Sequence, residues 1–300
     1  MKQNKQTGYS QYRNEERKMK WGCNYSKALM QLLREMKLPE LNYIKAGAFG
    51  DYDLEEAFAE RPLLLHGFGW YERLGMDFAK AEIPRIFGGS LAKAIKRMNE
   101  LAYYYESPHL AFHCLAYAED MEDFSGTEAE KNKQLYHRLK ENIVFFKERL
   151  EVPLLIENID YCPFYDQMNQ KLNQKYPVQP EVISGLVEET GIGFLFDLSH
   201  ARVSAAHLGM DVLEYCQKLP LHKTVELHLS GSRVHPEYGR IDVHQEMDEE
   251  DYQLIERLFK ENVPEYITLE YGFPKDGGER MTSAEAILRQ MKQLQEIFGS

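Results

Sequence analysis

Short hydrophobic runs alternate with longer amphipathic stretches along the whole chain. Eight of the runs have the length and composition of buried β-strands: 20–24, 41–47, 62–68, 109–114, 152–158, 192–198, 223–229 and 266–271. Apolar residues at helical spacing fill the segments between them: 26–37, 53–60, 90–105, 128–149, 180–190, 209–218, 248–262 and 283–297. Alternation of this kind predicts parallel strands joined by right-handed crossovers. Eight units favour a closed (β/α)8 TIM barrel over an open doubly wound sheet, which is the alternative.

Acidic and histidine side chains cluster at the ends of these runs. Nine of them form the candidate metal-ligand set: His66, His109, Glu157, Asp197, His200, His228, Asp242, His244 and Glu270. The carboxyl ends of barrel strands meet at one rim, so we expect these side chains to converge. A single strand-end histidine is more often a packed core residue, and the prediction of a metal site depends on the joint pattern. Buried acids are rare unless they are paired or bound to a metal.

The spacing of two pairs, and the types of donor, refine this prediction. Asp242 and His244 are two residues apart, so in an extended segment they face the same side. Asp197 and His200 are three apart across a strand end, where a turn could aim them at neighbouring ions. The set offers nitrogen and oxygen donors and no evident thiolate set, which suits Fe, Mn, Zn or Co better than a pure Ca or Mg site.

Residues next to the ligands are candidates for supporting or catalytic roles. Glu226 shares a strand face with His228 but lies one layer deeper, so we expect it to orient His228 or a neighbour; a core salt bridge is the alternative. Asn158 follows Glu157 and is predicted to orient it or a substrate, with a strand-end cap as the alternative. The predicted catalytic set is therefore Glu157, Asn158 and Glu226.

Three connections after predicted strands are longer than helix packing requires. Residues 67–89 and 229–247 are rich in glycine, and residues 159–179 contain several tyrosines. Loops that follow barrel strands commonly carry function. We therefore expect residues 159–179 and 229–247 to wall a pocket at the rim, as a lid or a substrate wall.

Composition limits the class of protein. The 300 residues are 43% hydrophobic, which suits one barrel-sized domain over 19–300, preceded by a polar, mobile tail over 1–18. Mean hydropathy is −0.54, and no apolar run approaches the ~20 residues that span a bilayer. The absence of a signal-peptide core and of any C-x-x-C pair predicts a reducing cytoplasm. A net charge of −12 argues against a nucleic-acid partner, and metal ions would offset acidic charge locally.

The candidate residues lie in segments that resemble a known family. The matching segments are 66–69, 107–111, 157–158, 197–205, 226–231, 241–244 and 270–271. Together, over about residues 20 to 275, they are similar to the multinuclear non-haem iron-dependent oxidative enzymes, which have a xylose-isomerase-like barrel. Three positions depart from that family's pattern: Pro108 stands in place of an acid, His200 in place of a frequent Asn, and Gly272 in place of a common acid.

The resemblance implies a function and a distribution of ligands. Members of the family modify cysteines in short peptides with two or three Fe ions and dioxygen, often with a partner protein that presents the peptide; Zn and Mn are the alternative metals here. The implied groups are His66, His109 and Glu157 for one ion, Asp197, His228 and Glu270 for a second with Glu157 as a bridge, and His200, Asp242 and His244 for a third. The same residues also resemble the trinuclear zinc site of endonuclease-IV-like phosphodiesterases. Sugar isomerases and epimerases of this superfamily use a simpler site.

Overall fold

The computed structural model describes residues 19–36, 38–48, 53–68, 73–78, 89–164, 175–272 and 282–299. The predicted tail over 1–18 lies outside the described residues. So do most of the connection over 67–89 and the middle of the connection over 159–179. No helix in the described part of the chain is long and apolar enough to cross a membrane.

Eight parallel strands close into a barrel, as the alternation of strands and helices predicted. They are β1 (Lys20–Asn24), β2 (Leu41–Gly47), β3 (Leu63–His66), β4 (Leu110–His113), β5 (Leu154–Glu157), β6 (Gly193–Asp197), β7 (Thr224–Leu229) and β10 (Tyr266–Leu269). Around the barrel they follow the order β1-β10-β7-β6-β5-β4-β3-β2. All eight ladders are parallel, so the carboxyl ends of the strands lie at one rim.

Helices surround the barrel at the predicted segments, with one addition. They are α1 (Lys27–Met36), α2 (Leu54–Glu60), α3 (Leu91–Tyr104), α4 (Glu128–Lys147), α5 (Pro180–Thr190), α6 (Leu198–Leu208), α7 (Val212–Lys218), α8 (Glu249–Phe259) and α9 (Ala284–Phe298). The addition is α6, which starts directly after Asp197. Its first eight residues are all buried, so it shows no polar face from which a helical period could be recognised.

The connection over 229–247, predicted as a loop, is largely an antiparallel hairpin of β8 (Gly231–His235) and β9 (Gly239–Gln245). Gly239 has φ +72° at the end of the turn, a conformation typical of tight hairpin connections. The hairpin packs against α6, where Nε2 of His207 donates to the backbone oxygen of Arg240 at 2.7 Å. This packing directs the residues of β9 towards the barrel mouth.

Two apolar clusters fill much of the barrel interior below the rim. Ala111, Leu155 and Leu195 form one buried cluster, and Tyr43, Leu64 and Tyr266 form a second; both contact Val225. Strand side chains alternate between the interior and the surrounding helices, so the next inward-facing positions towards the carboxyl ends lie above this layer. Those positions hold the polar residues of the candidate site.

Candidate metal centre

Glu157, the last residue of β5, lies at the centre of the polar layer and is 1% exposed. Its Oε2 is 2.9 Å from Nε2 of His66 and 3.3 Å from Nε2 of His113. Its Oε1 is 3.4 Å from Nδ1 of His200 and 3.4 Å from Nδ1 of His228. The two oxygens of one carboxylate therefore face two different groups of histidines. A carboxylate placed in this way is suited to bridging two cations.

Two more carboxylates approach His228 from the neighbouring strands. Nδ1 of His228 is 3.1 Å from Oε2 of Glu270 and 3.9 Å from Oδ2 of Asp197. Ligand atoms of Glu157, Asp197, His228 and Glu270 all lie within 4.8 Å of one another, and so do those of His66, Glu157 and His228. These two buried groups overlap at Glu157 and His228.

Three of the histidines are oriented by hydrogen bonds from one ring nitrogen. Nδ1 of His66 donates to the backbone oxygen of Ala111 at 3.0 Å, and Nδ1 of His200 donates to that of Asn158 at 2.8 Å. In His228 the donor is Nε2, which bonds Oε1 of Glu226 at 3.1 Å. In the neutral, metal-binding form of each ring, these bonds place the lone pair on Nε2 of His66, Nε2 of His200 and Nδ1 of His228. This is the usual arrangement of metal-ligating histidines.

The arrangement of the donor atoms suits a bound cation better than it suits hydrogen bonds between the side chains. Among the described residues, none is placed to hydrogen bond with Oε2 of Glu157, Oδ2 of Asp197, Oε2 of Glu270 or Nδ1 of His228. Buried polar atoms are normally hydrogen-bonded, and buried charges are normally paired or metal-bound. Nitrogen and oxygen lone pairs that converge without hydrogen-bond geometry are what a site for metal ions requires.

Beside this cluster, the hairpin contributes a third group of donors. Oδ2 of Asp242 is 3.0 Å from Nε2 of His244 and 3.8 Å from Nε2 of His200. The other carboxylate oxygen of Asp242 accepts from the hydroxyl of Ser199 at 2.6 Å. His244 has φ +46°, which is uncommon outside glycine, and its backbone oxygen accepts from the N–H of Gly272 at 2.9 Å. The backbone of β9 thus brings both residues to the barrel mouth.

Electrostatics in the cluster reflect the crowding of like charges. Burial raises the pKa of the Asp197 carboxyl well above its usual range, and the charges of Glu270 and Glu157 act in the same direction. Burial also acts to raise the pKa of Glu157, but the neighbouring His66 and His113 outweigh it and hold that pKa well below the usual range. A cation bound between Asp197, Glu157 and Glu270 would relieve the repulsion between their carboxylates.

His109 does not join the cluster, which corrects the expected group of His66, His109 and Glu157. It precedes β4, and its Nε2 is 2.7 Å from Oε2 of Glu226, one layer below the rim. His113 ends β4 and occupies the place beside His66, with the two ring centroids 4.8 Å apart. The period of two along a strand gives residues 109, 111 and 113 the same face, so the position of His113 at the end of the run was the signal.

The two predicted supporting residues have clear partners. Glu226 accepts from Nε2 of His228 at 3.1 Å and from the hydroxyl of Thr268 at 2.6 Å, in addition to its contact with His109. The side chain of Asn158 makes two 2.9 Å hydrogen bonds with the backbone of Asp197, one as donor and one as acceptor. Asn158 therefore fastens the ends of β5 and β6 to each other, whereas Glu226 connects His228 to the layer below.

Two buried charged residues in this region carried no sequence signal. Lys45, on β2, contacts Oε1 of Glu270 through its ammonium group. Asp160, which is 8% exposed, follows β5, and burial raises its pKa. The hairpin also meets the start of the connection after β5, where the rings of Phe164 and Tyr238 stack with centroids 3.7 Å apart. This contact joins the two segments that were predicted to wall a pocket, and the pocket wall itself stays a prediction.

Comparisons with known proteins agree with this architecture. A UPF0276 protein of Caulobacter vibrioides is 29% identical over 199 residues, which cover 65% of this chain and 63% of the relative. The match therefore spans less than two thirds of the relative's length. A D-tagatose 3-epimerase-like protein superposes with a TM-score of 0.59 at 15% identity, covering 93% of this chain and 97% of that chain. A xylose isomerase domain protein from Alicyclobacillus acidocaldarius gives 0.55 at 15% identity, covering 93% and 98%.

The solved structures have the xylose-isomerase-like barrel fold in common with this chain, and at this level of identity they indicate fold alone. The match to a protein-family model extends further, over residues 35–296, and its family is described as RiPP precursor modification enzyme MbnB/TglH/ChrH. That range includes every candidate metal ligand described above. The chain belongs to the MbnB/TglH/ChrH family of RiPP precursor modification enzymes.

Proposed function

We propose that this protein uses a multinuclear iron centre and dioxygen to oxidise a cysteine side chain of a peptide, or a related small thiol. The observation that carries the proposal is the position of Glu157 between two groups of histidines, with nitrogen and oxygen atoms converging on it. Membership of a family that modifies RiPP precursors supports a peptide as the substrate. A partner protein that presents the peptide stays a prediction of the family resemblance.

The cluster divides into three candidate ion positions. The proposed ligands are His66, His113 and Glu157 for the first ion, Glu157, Asp197, His228 and Glu270 for the second, and His200, Asp242 and His244 for the third. When bound, iron ions in these positions would supply a binding site for the substrate sulfur and the means to activate dioxygen. Mixed imidazole and carboxylate ligands also accommodate zinc or manganese, so the identity of the metal is part of the proposal.

The protein's own part is to fix the donors and to exclude water. Leu155 and Leu195 lie two residues before Glu157 and Asp197 on their strands and are fully buried, so apolar side chains lie directly below these two carboxylates. Glu226 accepts a hydrogen bond from Nε2 of His228 and so turns Nδ1, the nitrogen available to a metal ion, towards the cluster. A dry, pre-oriented set of ligands limits side reactions of a reactive centre.

Assays with thiol peptides test this proposal. Protein purified without oxygen and loaded with Fe²⁺ is incubated with a cysteine-containing peptide in air and under argon, and the peptide is analysed by mass spectrometry. We expect an oxygen-dependent change of mass that maps to the cysteine. A matched peptide with serine in place of cysteine should remain unmodified, and so should the cysteine peptide incubated with the Glu157→Gln variant.

The same preparations distinguish the alternative chemistries. A zinc phosphodiesterase would cleave DNA containing an abasic site without oxygen. A sugar epimerase would interconvert ketohexoses without oxygen or thiol. Either activity in the parent protein, lost in Glu157→Gln, would contradict the oxidative proposal while leaving the metal centre itself in place.

A further inference from the structure

Lys45 is a buried cation in the polar layer of the barrel. On β2 the side chains of Tyr43 and Lys45 share the interior face, and the hydroxyl of Tyr43 lies 2.8 Å from that of Thr268. Lys45 is one layer nearer the rim, is only 7% exposed, and contacts Oε1 of Glu270 through its ammonium group. A lysine is almost never this buried unless it is paired. The pairing with Glu270 therefore accounts for the burial of Lys45 and connects it to the candidate site.

The contact with Lys45 gives the two carboxylate oxygens of Glu270 different environments. Oε1 is occupied by Lys45, whereas Oε2 lies 3.1 Å from Nδ1 of His228 and has no hydrogen-bond partner among the described residues. A free carboxylate can rotate and can offer one oxygen or both to a cation. An ammonium group fixed on Oε1 holds the carboxylate in one orientation and leaves Oε2 to face the cluster.

Three histidines of the cluster are held in a comparable way, each by a hydrogen bond from its second ring nitrogen. His66 and His200 each donate to a backbone oxygen, and His228 donates to Glu226. Glu270 directly follows β10 and is held by the side chain of Lys45, two strands away around the barrel. Partners that orient ligands typically affect metal affinity about 10–100-fold when they are lost.

We propose that Lys45 is a positioning residue for the metal centre. Its ammonium group holds Oε1 of Glu270, so that Glu270 presents Oε2 alone to the ion shared with Asp197 and His228. The inference rests on the metal centre in the proposed function, but it is independent of the identity of the metal and of the oxidation reaction. It can therefore be tested with a redox-inert probe ion.

Titration with Co²⁺, followed by visible absorption and by metal analysis, tests the role of Lys45. Lys45→Met removes the charge but keeps much of the side-chain volume, and it should weaken one Co²⁺ site about 10–100-fold and alter its ligand-field bands. Lys45→Arg keeps a cationic donor and should restore most of the affinity and the spectrum. The matched control is Lys20→Met, since Lys20 pairs with Glu265 and Tyr266 at the opposite end of the barrel; it should behave as the wild type.

The outcomes separate this inference from the proposed function. Co²⁺ binding by Lys45→Met that equals or exceeds wild-type affinity would overturn the positioning role and leave the metal centre intact. A wild-type protein that binds no Co²⁺ would overturn both. If Lys45→Met does not fold, Lys45→Gln is introduced into the Glu270→Gln protein. Because Lys45 acts through Glu270, affinity should then fall no further, and a fully additive loss would refute the role.

Discussion

Replacing Glu157 with glutamine tests whether one carboxylate serves two ions. Oε2 faces His66 and His113 at 2.9 and 3.3 Å, and Oε1 faces His200 and His228 at 3.4 Å each. Glutamine keeps the shape and one carbonyl oxygen, but it removes the negative charge and turns the second oxygen into an NH₂ donor. Whichever way the amide is oriented, one of the two ions loses its oxygen ligand and both lose a neighbouring charge.

The size of the effect follows from the burial of the site. Glu157 is 1% exposed, so solvent screens its charge poorly. Breaking a buried charge pair by removing one partner costs about 3–5 kcal/mol. At about 1.4 kcal/mol for each factor of ten, the ion that loses its ligand should bind roughly a hundredfold to several thousandfold more weakly.

The assay is anaerobic loading with Fe²⁺, removal of unbound metal by gel filtration, and metal analysis of the protein. We expect Glu157→Gln to retain at least one ion fewer than the wild type and to lose activity. Asp120→Asn is the matched control, because Asp120 is also a buried carboxylate but pairs with Arg73 at 3.0 Å rather than with a histidine of the cluster. It should lower the melting temperature and leave the metal content unchanged. Full occupancy of Glu157→Gln at wild-type affinity would refute the bridging assignment.

Further predictions concern single histidines and pH. His113→Ala should lose one ion in metal analysis, whereas His109→Ala should keep all ions and lose about 1–3 kcal/mol of unfolding free energy, because His109 lies below the cluster. His200→Asn should weaken one ion selectively, since an amide oxygen is a poorer ligand than imidazole for Fe or Zn; equal loss of all ions would contradict this. Burial lowers the pKa values of His200 and His228, but nearby carboxylates raise both well above the usual range, and that of His244 rises to about 9. Metal binding must displace these protons, so affinity measured by titration should increase with pH up to about 9, and a pH-independent affinity would count against the assignment.

Much of the barrel was predictable because parallel strands buried on both faces form continuous apolar runs. Each of the eight predicted runs contains one barrel strand, and β1 and β2 have the predicted bounds. Two elements escaped prediction for opposite reasons. Helix α6 is buried on nearly all sides and has no amphipathic period, whereas the strands of the 231–245 hairpin are mostly half-exposed and polar, so they show no apolar run.

The candidate site was predictable where its residues lie at the carboxyl ends of strands, because parallel strands bring those ends to one rim. Glu157, Asp197 and Glu270 close or directly follow their strands, and the structure brings them together. His109 was misassigned because a histidine at the start of a short strand and one at its end share a face, and only the strand bounds tell them apart. Lys45 could not be recognised, since its role depends on a contact across the barrel that no local pattern encodes.

The arrangement of ions around Glu157 provides the most direct test of the proposed centre. Crystals grown without oxygen from iron-loaded protein can be measured at the iron absorption edge, where anomalous scattering locates each ion. We predict at least two iron peaks about 4 Å apart, a spacing typical of two-metal sites, with one on the side of His66 and one on the side of His228. A single peak, or peaks that do not contact Glu157, would contradict a bridged multinuclear centre.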